Sequence, residues 1–111
     1  MIQVTTIKHI FDTRQWASMT MFEQMGNIGS EVGRALSAKH RSDAVSMNGA
    51  LARGLDLIDT TASLWAAQKS PRTKELLLAR EQFTKSILTD EEDLTLEAYF
   101  FQYAYAARKD R

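Results

Sequence analysis

The chain has 111 residues, fourteen basic and fourteen acidic side chains that cancel, and no cysteine. That length is one domain with a real core, small enough for oligomerisation to add stability. Charge balance removes any whole-molecule field favouring a polyanion and leaves only local basic patches, while the lack of cysteine excludes disulfides and thiol catalysis.

Residues 1–12 read as an N-terminal arm. Ile2, Val4, Ile7, Ile10 and Phe11 stand among threonines and a lysine without a two-residue or a 3.6-residue period. Their apolar content favours docking over the bundle, as an edge strand on a partner, or as a partly ordered tail. No charged-then-apolar leader opens the chain, so a cytoplasmic protein is expected.

Asp12 with Gln15 three residues on suggests a capping box, and an apolar seam then runs through Leu36. A long first helix is predicted, from about Thr13 to Lys39. Lys39, His40 and Arg41 at its end suit the negative end of the helix dipole. Gly26, Gly29 and Gly33 fall on one strip of this helix beside that seam, giving up roughly 3 kcal/mol of helix propensity. The strip predicts close packing of another helix or of a ligand or partner backbone. Glu23, Glu31 and Arg34 on the same helix exclude a membrane span.

Ser42 and Asp43 cap a predicted second helix to about Ala67, with Gly54 in its apolar face, placed to oppose the glycine strip. Ser70-Pro71 predicts the start of a third helix, to about Leu88. Within it Arg80 falls on the inward arc between Leu76 and Ile87, where a charge must snorkel outward or meet a buried acid. The acidic run Thr89 to Asp93 reads as a loop able to receive a basic partner. A fourth helix, capped by Asp93 or Thr95, is predicted to about Arg108. It is apolar nearly all round, with Phe101 and Tyr105 pointing away from its core face, and these aromatics predict a subunit interface or cover by the arm.

The fold class expected is all-α, an antiparallel up-down four-helix bundle over residues 13–111, homo-oligomeric through the last helix or the glycine strip. No cofactor and no metal are expected: His9 and His40 are too few for a histidine site, and Glu-x-x-His pairs are missing. Asp56 and Asp59, three apart, could ligate magnesium with Glu31 or Glu75, but a solvated surface or ion pairing to Arg53 explains them better. The expected polar network comprises Asn27, Ser30, Glu31 and Arg34 beside the glycines, Asp56 and Asp59 opposite, and Arg80 with Arg108. The leading function is a non-enzymatic interaction module that self-associates and binds a protein or nucleic-acid partner.

Three resemblances bear on this. Arg34 and His40, with five residues between them, resemble the Arg-x(4 to 6)-His pattern of HEPN ribonucleases, which implies an alternative: a dimeric, metal-independent ribonuclease with His40 as general acid or base and Arg34 on the scissile phosphate. The blocks Asn27 to Arg34 and Tyr103 to Arg108 resemble a group of small prokaryotic helical-bundle proteins without an established activity. In size and helical plan the chain is also similar to the ribosomal and retroelement accessory family of four-helix bundles, which implies oligomers that bind nucleic acid.

Overall fold

A computed structural model describes residues 13–109, without the side chains at 104 and 107–109. The N-terminal arm lies outside the described residues. The described chain is all-helical: α1 (Thr13–Ser18), α2 (Met21–His40), α3 (Ala44–Ala67), α4 (Thr73–Leu88) and α5 (Leu96–Lys109). No helix among them is long and apolar enough to cross a membrane.

The single long first helix expected from the seam is two helices. Thr20 takes an extended conformation (φ −70°, ψ 160°) and caps α2. Its hydroxyl accepts the Glu23 N–H at 3.0 Å, and the Glu23 carboxylate accepts the Thr20 N–H at 3.0 Å. This reciprocal pair satisfies two donors that a continuous helix would have bonded to its own carbonyls, so the break costs little. Trp16 on α1 is buried, and its indole N–H donates to the Thr61 hydroxyl on α3 at 2.8 Å. Gln24 donates to the Trp16 carbonyl at 2.9 Å, so the short helix is fixed by buried hydrogen bonds as well as by packing.

Asp43 caps α3, accepting the Ser46 N–H at 3.1 Å. The third expected helix starts later than Ser70-Pro71: α4 begins at Thr73, after Arg72. Ser70 instead holds the turn, its hydroxyl accepting the Arg72 N–H and its carbonyl the Thr73 hydroxyl. α2 is the central element, packed along α3 and along α5, while α4 packs mainly on α3. Met25, Ile28 and Val32 of α2, Ile58 of α3, Phe83 of α4 and Phe100 of α5 are at most 1% exposed and form the middle of the core.

Candidate functional site

The glycine strip of α2 receives α5. A Cβ at Gly29 would lie 2.6 Å from the Phe100 Cβ, and one at Gly33 would lie 3.2 Å from the Glu97 carboxylate. Gly54 does not oppose this strip: a Cβ there would meet the Phe83 ring of α4 at 2.8 Å and the Glu31 Cβ at 3.4 Å. The mismatch has a steric reason. Phe100 and Phe83 each need space against a neighbouring helix, and the bare backbone of Gly29 and of Gly54 supplies it in two separate places. Gly26 lines a pocket of about 480 Å³ with Gly29, Ala98, Phe100 and Phe101.

That pocket shares Ser30 and Glu97 with a larger groove of about 840 Å³, walled by Arg34 of α2, Arg53 of α3 and Arg41 at the turn between them. Glu31 organises two of these. Its carboxylate takes Arg34 Nη1 at 3.1 Å on one oxygen and Arg53 Nε at 3.2 Å on the other. Arg41 donates to the Ser37 hydroxyl at 2.8 Å and lies 3.5 Å from Asp43.

The remaining expected site residues divide among other partners. Arg80 is half-buried and reaches outward to Asp59, at 2.7 Å from Nε and 3.3 Å from Nη2. Of the two outcomes open to a charge on the inward arc, it takes the first, snorkelling outward to an exposed acid. The Asp59 hydrogen bond holds the Arg80 guanidinium above its usual pKa. Asn27 donates back to the Glu23 carbonyl and Ser30 to that of Gly26, both within α2. Asp56 is half-buried on α3 and neither lines the groove nor pairs with Arg80. The Arg108 side chain lies outside those described. Glu31 and Asp59 therefore anchor two separate pairings.

The basic end of α2 binds the acidic loop of its own chain. The Lys39 ammonium donates to the carbonyls of Ser86 and, at 2.7 Å, of Thr89, and it lies 3.7 Å from Glu92. His40 Nε2 is 2.9 Å from Glu92. Lys39 thus satisfies orphan carbonyls at the end of α4 as well as charge in the loop. Arg34 and His40, six residues apart on one helix, point about 120° apart and bond different partners, so one chain does not bring the ribonuclease-like pair together.

Glu75, weighed above as a magnesium ligand, instead accepts the Tyr99 hydroxyl at 2.8 Å and the Tyr103 hydroxyl at 3.3 Å, joining α4 to α5. Burial, and then the bond to Glu75, push the Tyr99 hydroxyl far above the ordinary phenol range. Among the described residues no group of three or more histidine or carboxylate side chains is placed to hold a metal ion.

Sequence reasoning set Ser30, Glu31 and Arg34 beside the glycine strip but predicted no groove; it gave Arg53 to Asp56 and Asp59 as an ion-pair partner and Arg41 to the helix dipole, whereas Arg53 pairs with Glu31 and Arg41 lies against Asp43. Arg53 carries the signal that would have found it: it stands one residue before Gly54, on the helix that follows α2 after a three-residue turn. No protein-family model matches the chain, and no curated protein or solved structure matches it either.

Proposed function

We propose that the protein is a non-enzymatic interaction module, an antiparallel bundle of α2 to α5 that self-associates through the outer side of α5 and offers the arginine groove to a partner. One observation carries the self-association. Leu94, just before α5, and Phe101 and Tyr105 within it are 87%, 61% and 56% exposed, with exposed Ala98 between them. Their spacing of four, three and four residues is that of a helix seam. The same stripe on a second copy is complementary to it about a two-fold axis, and pairing would remove three large apolar side chains from water.

Antiparallel packing is supported by the order of contacts. As α2 advances from Gly29 to Gly33, its neighbour on α5 retreats from Phe100 to Glu97. As α3 advances from Gly54 to Asp59, its neighbour on α4 retreats from Phe83 to Arg80.

The test is absolute mass by light scattering on a sizing column. The wild-type protein runs as a dimer, and the double variant Phe101→Glu with Tyr105→Glu runs as a monomer with its helical circular dichroism retained. A monomeric wild type, or a dimer indifferent to both charges, removes the reading.

A further inference from the structure

We infer that the groove between α2 and α3 binds a phosphoryl group carried by a small molecule, gripped by Arg34 and Arg53. The inference rests on the groove's being the partner-engaging face and does not need self-association. Glu31 is the key to it. Its side chain is only 13% exposed, and its single carboxylate is shared between two guanidinium groups that are 62% and 50% exposed. One negative charge between two positive ones leaves a net positive charge at this wall.

Each guanidinium carries five N–H donors; Glu31 accepts a hydrogen bond from Nε of Arg53 and forms an ion pair with Nη1 of Arg34. The remaining donors belong to side chains already held in place, so a bidentate phosphate contact costs less ordering than it would with free arginines. Arg41, bonded to Ser37 and offset in charge by Asp43 at 3.5 Å, contributes further N–H donors to the lining. Gly49 lies beneath the same side chain: a Cβ there would be 3.3 Å from Arg53 Nη1, a contact that the flexible, half-exposed guanidinium can relieve by a small shift.

Size and charge favour a small molecule over a nucleic-acid strand. About 840 Å³ holds a phosphoryl group with a modest organic body. Glu97 stands on the α5 side where the groove meets the second pocket, so a chain of phosphates continuing that way would meet a carboxylate, whereas a hydroxyl or amine would find an acceptor.

The test titrates inorganic pyrophosphate into the full-length ¹⁵N-labelled protein and follows the amide shifts. Saturable shifts centred on Gly33, Arg34, Gly49 and Arg53 are expected. Binding should weaken about tenfold or more in Arg53→Gln, while Arg80→Gln leaves it unchanged. Absence of saturation at millimolar pyrophosphate, or shifts that persist undiminished in Arg53→Gln, overturns the inference. A single-stranded hexanucleotide that binds these amides more tightly than adenosine monophosphate overturns the small-molecule assignment. Light scattering on Arg53→Gln keeps the two proposals apart: its mass equals that of the wild type even where pyrophosphate binding is lost.

Discussion

Gly29 and Phe100 are packed so closely that a methyl group on the glycine would sit 2.6 Å from the phenylalanine Cβ, inside any normal carbon contact. Phe100 is 1% exposed and its backbone belongs to α5, so neither side of the contact can yield cheaply.

Alanine at two neighbouring glycines should therefore act in opposite directions. Gly29→Ala gains about 1 kcal/mol of helix propensity but overpacks the core, and a net loss of about 1–2 kcal/mol is expected. Gly33→Ala meets only the tip of the Glu97 side chain at 3.2 Å, which can swing aside, so a net gain of up to about 1 kcal/mol is expected. Urea unfolding midpoints of the two variants decide this, and midpoints shifted in the same direction would show the α2 and α5 contact to be placed wrongly.

Acid should weaken the protein through Asp43, which caps α3, and Asp93, which holds Thr95 in the turn before α5. The Asp43 carboxyl is held below its ordinary 3.8 first by the Ser46 N–H, and that of Asp93 by the Thr95 hydroxyl and N–H. A carboxyl with a depressed folded-state pKa adds stability above its unfolded value, and the contribution is lost as pH falls through the folded value. Stability should thus fall on going from pH 5 to below 3.8. In the double variant Asp43→Asn with Asp93→Asn, which keeps the acceptors without the titration, the slope over that window should be shallower. An unchanged slope places the acid sensitivity elsewhere.

Arg80→Met should be nearly silent. The Asp59 pair is partly exposed on both sides, 38% and 54%, and such pairs contribute about 0–1 kcal/mol. Thermal unfolding and light scattering should match the wild type. A loss of several kcal/mol or a change of mass would mean that Arg80 joins a larger polar network.

Glu31→Gln offers a sharper contrast. It keeps the side-chain volume but removes the charge that holds Arg34 and Arg53 together. Loosening of both guanidinium groups is expected, read as faster exchange of their Nε–H signals with water, and unaltered exchange would show that Glu31 does not position them.

Much of the helical plan was legible because its signals are local. Asp43 caps where an acid precedes an apolar period, and the acidic run before α5 interrupts that period. The break at Thr20 was missed although Thr20 and Glu23 spell a capping box, because the apolar spacing of α2 continues in phase into α1 and hides the boundary. Pairing was less legible than periodicity. Gly54 lies on the expected face of α3, yet which helix meets it depends on where Phe83 and Phe100 seat their rings, a three-dimensional packing result. The groove was not foreseen for the same reason: Glu31 and Arg34, one turn apart, could be grouped, whereas Arg53 joins them only through the turn at Arg41 to Asp43.

The central place of α2 also sets an order of events during synthesis. α3 emerges directly after α2 and can fold onto it while the chain is still growing, but α5 is separated from α2 by both α3 and α4. Until α5 has left the ribosome, Gly29, Gly33 and the neighbouring core residues have no helix on that side, and the nascent chain presents a bare helical flank to the cell. The contact of α5 with α2 thus spans the longest stretch of sequence among the main helix pairings, and it is expected to form last.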